Sequence, residues 1–439
     1  TMTTHTPPGF VGWVKTRISP APMIFILAFI TGLGSGVCAY ALKEMIRHAS
    51  RWLTGGLHSE WPDWMLVALP VAGILLTGIF VRYILRHDIT HGVSRIKGRL
   101  RDKNYTMRTS SIWSPMIAST ITLSFGGSAG AEGPIAYVGA GIGSNLARWM
   151  QLTPDRMKIL LGCGAAAGIA GIFKSPVGGF LFTLEVLRME LVTISVMGVL
   201  TATVTAATTA YALSGFTPDI AYAPASSFDP AMTGWFLALG VFIGLYALYY
   251  SSMMTVMQRV YNSIANPWLR NLSGGLILAV ALMMFPALYG EGYPVITSLL
   301  AGDAAPLLKG SVLQSAGAPA ALTAAAALIV AIKTFATSAS NSAGGVAGDF
   351  APTLFAGAVG GLLFANIVRI TTGVELPAEQ MVYAGMAGMM AGAVRAPLMA
   401  LFLTVEMTGR YDFFFPLLVA TAVSFGIVRL RNLRRFVIA

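Results

Sequence analysis

The 439-residue chain contains few charged residues, and this scarcity excludes most classes of soluble protein. Only 11% of the residues are Asp, Glu, Lys or Arg, whereas 55% are hydrophobic. Soluble domains carry about a quarter charged residues. The composition therefore predicts an all-α, polytopic membrane protein whose surroundings are the lipid bilayer.

Cysteine is nearly absent as well. The two cysteines, Cys38 and Cys163, each lie in an apolar run, where a free cysteine usually behaves as a small buried hydrophobic residue. We expect no bound metal and no cofactor.

Acidic residues are also scarce, with 18 Asp and Glu against 29 Lys and Arg, so the formal net charge is +11. The basic residues are grouped in short flanks, at Lys15 and Arg17, at 95–103 and at 429–435. This grouping fits the positive-inside bias of membrane proteins better than a nucleic-acid-binding face. We therefore expect a multi-pass protein with no nucleic-acid partner. The location that we expect for it is the inner membrane of a bacterium.

A glycine-rich motif occurs twice in the chain. Gly126–Pro134 is GGSAGAEGP, and Gly344–Pro352, 218 residues later, is GGVAGDFAP. Each copy is a glycine-rich turn, then a proline, then an apolar run. Because proline is favoured in the first turn of a helix, each copy predicts a loop that opens into a helix. Free N–H groups and the helix dipole make such a start an anion site.

A second pair of segments repeats at nearly the same offset. Phe173–Glu185 matches Val394–Glu406, with Pro176/Pro397, Thr183/Thr404 and Glu185/Glu406 aligned. Two markers at similar offsets predict an internal duplication. Repeats that are inverted in the membrane and meet at short, broken helices are typical of transporters with a central site.

The duplication predicts five regions along the chain. A polar stretch with several prolines separates the two repeats. Within the second repeat, residues 289–310 are polar enough to predict an irregular segment. The regions are an N-terminal cytoplasmic segment 1–21, a first membrane repeat 22–213, a connector 214–233, a second membrane repeat 234–430 and a basic C-terminal tail 431–439.

Glu132 is the carboxylate of the first glycine motif, where the second copy has Phe350. A carboxylate inside a membrane is energetically costly and suggests function. At a helix start, Glu132 would be held by the same N–H groups that bind an anion, and protonation would release it. We therefore predict that Glu132 is both a gate and a proton carrier. The alternative is a structural carboxylate stabilised by the helix dipole.

These motifs together resemble those of the CLC chloride channels and proton-coupled anion transporters. The resemblance rests on GAEGP at 130–134, GDFAP at 348–352 and FKSPVGGFLFTLE at 173–185, and it covers almost the whole chain. It implies an inverted-repeat bundle, a homodimer with one pathway in each subunit, voltage-dependent gating in some members, and Glu132 as the gating residue. The anion-binding residues that it implies are Thr90, His91, Gly92, Gly130, Ala131, Gly133, Asp349, Phe350 and Ala351.

Two of these positions depart from the family pattern. His91 stands where the family usually has an anion-coordinating serine. Its imidazole could donate an N–H to an anion, or it could face the cytoplasmic vestibule and bind nothing. Asp349 replaces a usually apolar residue, and an ionised carboxylate there would repel an anion. We expect Asp349 to cap its helix with the side chain turned aside.

A third departure concerns the proton route. Val186 occupies the place of the internal glutamate that proton-coupled members often carry after the residue matching Glu185, and the family's central tyrosine has no convincing match. Three hypotheses remain. The first is proton-coupled anion exchange gated by Glu132, with chloride or another small anion as substrate. The second is a passive anion channel, and the third is a membrane scaffold that has lost transport.

Overall fold

The computed structural model describes residues 19–54, 63–190, 192–218, 220, 228–314 and 318–438. Within these ranges the regular structure is helical, apart from one isolated antiparallel bridge between Gly130 and Gly348. The predicted segment 1–21 lies largely outside the described residues, and so do residues 219 and 221–227 of the predicted connector 214–233. The α-helices are α1 Pro20–Thr54, α2 Asp63–Ile79, α3 Gly92–Arg101, α4 Ser114–Ser124, α5 Glu132–Trp149, α6 Pro154–Phe173, α7 Pro176–Leu181, α8 Thr193–Leu213, α9 Thr233–Ser263, α10 Pro267–Met284, α11 Tyr293–Leu300, α12 Ala318–Ser342, α13 Phe350–Thr372, α14 Ala378–Val394, α15 Pro397–Thr408 and α16 Phe414–Ile438.

Nine helices of the described chain are long and apolar enough to cross a membrane, because about twenty apolar residues span the hydrocarbon core. The predicted all-α polytopic fold is confirmed. The expected irregular stretch 289–310 is wrong in part, since it contains α11. There Pro294 lies in the first turn, a position where proline favours helix initiation.

The two repeats pack alike. In the first repeat α5 lies against α6, and in the second α13 lies against α14. A Cβ added at Gly139 of α5 would lie 2.0 Å from the carbonyl oxygen of Gly164, and one at Gly357 of α13 would lie 2.3 Å from that of Gly385. Only glycine allows the backbones to approach so closely, which is the usual role of small residues between membrane helices. The matched glycines of the repeat therefore fix matched helix pairs.

Two glutamates tie the halves together reciprocally. Glu406, at the end of α15, accepts hydrogen bonds from the backbone amides of Val177 (3.1 Å) and Gly178 (2.9 Å) at the start of α7. Glu185, after α7, accepts hydrogen bonds from the equivalent amides of Leu398 (3.1 Å) and Met399 (2.8 Å) at the start of α15. Each short helix thus receives its N-terminal cap from the other repeat. Both glutamates therefore have a structural role at the contact between the halves.

The helix starts of the two glycine motifs meet in the middle of the molecule. Gly130 N donates to Gly348 O at 2.9 Å, and Gly348 N donates to Gly130 O at 2.6 Å. The turns before this bridge need glycine, because Gly126 and Gly344 have φ of +105° and +124°. The bridge places the start of α5 against the start of α13, and their residues form the candidate site.

Candidate functional site

Glu132 is the first residue of α5, and its side chain is only 1% exposed. Its Oε1 accepts a hydrogen bond of 2.9 Å from the backbone amide of Ala351, in the first turn of α13. A carboxylate from one repeat therefore occupies an N–H group at the helix start of the other. This amide is a donor that would otherwise be available to an anion.

The second carboxylate oxygen of Glu132 lies against the glycine bridge. Oε2 has no hydrogen-bond partner among the described residues. A Cβ added at Gly130 would lie 2.1 Å from Oε2, and one added at Gly348 would lie 2.8 Å from it. The two glycines therefore provide the space for this carboxylate. A buried acceptor without a partner is unusual. It suggests that the group occupying this point can be exchanged for another.

A cavity of about 380 Å³ reaches the same helix starts, and we name it the His91 cavity. Five of the predicted site residues line it, namely His91, Gly92, Gly133, Asp349 and Phe350. The Phe350 ring packs edge-on against Phe182, with ring centroids 6.1 Å apart. The cavity is therefore a vestibule that ends at the bridge between the repeats. Its other lining residues include Lys97, Val186, Tyr250, Ser251, Thr353 and Arg395.

Asp349 is the N-cap residue of α13, yet its side chain makes no capping hydrogen bond. Asp349 therefore takes the expected N-cap position but lacks the expected side-chain cap. The carboxylate is exposed to the His91 cavity and accepts a hydrogen bond from Asn341 Nδ2. It places negative charge near Glu132 and interacts electrostatically with His91.

His91 and Thr90 have different surroundings. His91 lies at the N-cap of α3 with a left-handed backbone (φ 54°) and lines the His91 cavity. The Thr90 hydroxyl instead donates to Asp88 at 2.6 Å and does not line that cavity. Burial raises the pKa of Asp88, but its hydrogen bonds from Thr90 and the nearby Arg95 outweigh burial and leave the pKa below its ordinary value.

The backbone amides of the two helix starts are divided among several acceptors. Gly130 N is taken by the bridge, and Ala351 N is taken by Glu132. Ala131 N donates to Glu291 Oε1 at 3.0 Å. Gly92 packs so closely on α5 that a Cβ there would lie 2.5 Å from Gly133 O. The structure brings the predicted site residues together around one point, with Thr90 directed elsewhere.

Lys333 is a buried cation beside the site that the sequence interpretation missed. It is 0% exposed, in the middle of α12, and its Nζ donates to Ser128 Oγ at 2.8 Å. The same Nζ lies 4.6 Å from the centroid of the Phe355 ring. Its positive charge acts on Glu132. A lysine within an apolar helix was a readable signal, since ionisable residues inside membranes are usually functional.

Tyr250 was also missed. It lies on α9, is 2% exposed, and lines the His91 cavity. Its Oη has no hydrogen-bond partner in the described chain, and it lies near Thr337 Oγ1, which is likewise unpaired. Nothing in the sequence distinguishes Tyr250 from Tyr246 and Tyr249 on the same helix.

Within the described residues, no cluster of His, Cys, Asp and Glu could hold a metal.

A protein-family model and two curated relatives identify the same family for this chain. The family model described as "Voltage gated chloride channel" matches residues 72–429. A putative chloride channel protein, ClcB-like, from Ralstonia nicotianae is 28% identical over 426 residues, covering 91% of this chain and 92% of that protein. The voltage-gated ClC-type chloride channel ClcB of Salmonella typhi is 30% identical over 70% of each chain.

Solved structures share the fold at low sequence identity. A slow cyanobacterial Cl⁻/H⁺ antiporter superposes with a TM-score of 0.76 at 20% identity, covering 94% of this chain and 95% of the other. A CLC-type fluoride/proton antiporter superposes with a TM-score of 0.75 at 21% identity, covering 93% and 95%. The inverted-repeat bundle with short, broken helices is therefore the fold of this chain.

Proposed function

This chain belongs to the voltage-gated chloride channel (CLC) family, and we propose that it carries chloride or a similar small anion across the membrane in exchange for protons. The observation that carries the proposal is the Glu132 carboxylate on the Ala351 amide. A carboxylate bound to an N–H group at a helix start occupies the position of an anion. Glu132 is thus placed to exclude the anion when ionised and to admit it when protonated.

The pathway begins, in this proposal, at the His91 cavity. The basic residues on and after α3 are concentrated between 95 and 103, and the positive-inside rule assigns them to the cytoplasmic side. Lys97 lines the cavity itself. We therefore assign the His91 cavity to the cytoplasm. The bacterial ClcB relatives support the inner membrane of a bacterium as the location.

The exchange step uses one proton-carrying side chain. Protonation turns the Glu132 carboxylate into a neutral acid, which is a weaker acceptor for the Ala351 amide than the ionised group. The side chain then leaves with its proton, and the amide becomes a donor to the incoming anion. Deprotonation restores the carboxylate and returns it to the amide. Lys333 supplies positive charge that favours either anion in the site.

The inner proton route differs from one based on a glutamate at position 186. Val186 lines the His91 cavity and cannot titrate. Asp349 faces the same cavity and adds its charge near Glu132. We infer that Asp349, assisted by His91, exchanges protons between the cavity and Glu132. Its electrostatic interaction with His91 supports this pairing.

Tyr250 is assigned as an anion ligand from the cavity wall, because its buried hydroxyl has no partner of its own. A hydroxyl bond to a charged group contributes about 1.5–3 kcal/mol. We expect Tyr250→Phe to weaken chloride binding about tenfold, measured by calorimetry on detergent-solubilised protein. The matched control is Tyr249→Phe, since Tyr249 Oη already donates to Ala331 O at 3.1 Å. If Tyr250→Phe and Tyr249→Phe bind chloride with equal affinity, Tyr250 is not an anion ligand.

Flux through purified protein in liposomes tests the function itself. We expect an imposed chloride gradient to drive protons against their own gradient. The reason is that Glu132 carries the proton and that chloride takes the place of its carboxylate on the Ala351 amide. Chloride flux without proton movement would instead support a passive channel, which Val186 favours. The absence of any anion flux would support a non-transporting scaffold.

We also expect a homodimer with one pathway in each subunit, and cross-linking in the membrane would test it.

A further inference from the structure

A second cavity, of about 580 Å³, shares no lining residue with the His91 cavity. We name it the Lys43 cavity. Its walls carry three cations, Lys43, Arg47 and Lys174, and two carboxylates, Glu44 and Glu291. Cations at the mouth of a narrow path raise the local concentration of anions. One candidate membrane span, Ala68–Leu85, separates Lys43 from His91 along the chain. The Lys43 cavity is therefore a suitable entrance for an anion from the side opposite the His91 cavity.

Glu291 connects this cavity to the start of α5. The residue is half-buried, and its Oε1 accepts the hydrogen bond of 3.0 Å from the Ala131 amide. Left-handed glycines flank it, Gly290 with φ of 66° and Gly292 with φ of 85°. A Cβ at Gly292 would lie 2.5 Å from the Phe355 ring. The GEG turn is thus built to hold the Glu291 carboxylate against α5.

The arrangement repeats the contact that Glu132 makes. Glu132 occupies the Ala351 amide at the start of α13, and Glu291 occupies the Ala131 amide at the start of α5. In each case a carboxylate binds an N–H group at a helix start, where an anion is stabilised by the dipole. Both carboxylates therefore stand in for anions. Their negative charges also repel each other.

We propose that Glu291 is an outer gate in series with Glu132, and that an incoming anion competes with its carboxylate for the Ala131 amide. The inference rests on the proposed anion transport. Protonation of Glu291 frees the amide and removes a negative charge that repels the incoming anion, so lower outer pH favours anion entry. Among the described residues, the charged or titratable groups facing Glu291 are Glu132 on α5, Tyr40, Lys43, Glu44 and Arg47 on α1, Lys174 after α6, and Tyr289 and Tyr293 in its own segment.

The test compares Glu291→Gln with wild type in liposomes at several outer chloride concentrations and pH values. We expect the outer chloride concentration for half-maximal flux to fall about tenfold, the size of one charge-assisted hydrogen bond. The dependence of flux on outer pH should weaken, while the proton-to-chloride ratio should stay unchanged because Glu132 remains. Glu190→Gln is the matched control, since Glu190 is exposed and lines neither the Lys43 cavity nor the His91 cavity. A half-maximal concentration equal to wild type would overturn the inference.

Equilibrium chloride binding to detergent-solubilised protein provides a second measurement that does not depend on transport. Glu291→Gln should bind chloride about tenfold more tightly than wild type. If tighter binding appears in a protein that moves no anion, the outer gate stands and the proposed transport fails. If wild type transports but its affinity matches that of Glu291→Gln, only the outer gate fails. Glu291→Asp, which keeps the charge but shortens its reach, serves as a second variant should Glu291→Gln misfold.

Discussion

Glu132→Gln should abolish proton transport while chloride still crosses the membrane. A glutamine cannot carry a proton, and its neutral amide oxygen competes only weakly with an anion for the Ala351 N–H. The lost charge-assisted bond is worth about 1.5–3 kcal/mol, so chloride should bind roughly ten- to a hundredfold more tightly. In wild type, flux should rise as pH falls, because protonation releases Glu132. In the variant, flux should no longer vary with pH. Liposomes with paired chloride and proton electrodes measure both effects.

The control for this result is Glu190→Gln, which makes the same chemical change at an exposed position. It should keep wild-type coupling and wild-type pH dependence. If Glu132→Gln still moved protons uphill, Glu132 would not be the proton carrier. If its flux kept the pH dependence of wild type, another titratable group would be the gate.

Asp349→Asn should separate the inner proton route from the anion pathway. The substitution keeps a hydrogen-bonding group opposite Asn341 but removes the titratable carboxylate from the His91 cavity. A positioned proton-transfer group typically contributes at least about a hundredfold to its step. We therefore expect proton flux to fall about a hundredfold while chloride flux persists, measured as the proton-to-chloride ratio at fixed gradients.

Asp155→Asn is the matched control, because Asp155 is exposed in the first turn of α6 and lines neither cavity. Loss of chloride flux together with proton flux in Asp349→Asn would assign the residue to structure rather than to proton transfer. An unchanged ratio would return the inner proton route to other groups, among them His91.

The fold was predictable because its determinants are local and occur twice. Pro134 and Pro352 mark helix starts that propensity alone favours, and α5 and α13 begin close to them. Glu185 and Glu406 hold matched positions in the repeat, but their reciprocal hydrogen bonds became evident only in the structure. A helix such as α11 escaped notice, because its eight residues lie in a stretch of polar composition. Short helices carry too few residues for a periodic signal.

The candidate site was predictable where a residue belongs to a repeated motif or to a segment that resembles the CLC family. Glu132 and the glycines around it qualify. Glu291 does not, because its carboxylate reaches Ala131 across 160 residues of sequence. Tyr250 does not either, since its direction depends on how α9 rotates in the bundle. Lys333 is different, because a charge within a predicted membrane helix is visible in the sequence itself.

The reciprocal caps have a consequence for how the chain is made. In α7, the amides of Val177 and Gly178 are synthesised well over 200 residues before Glu406, which accepts their hydrogen bonds. Until that glutamate emerges from the ribosome, these N–H groups lie in the nascent membrane domain without their final acceptor. Unsatisfied groups in hydrocarbon cost several kcal/mol each. The short helix α7 therefore gains its N-terminal cap only after the second half has been made and packed against the first.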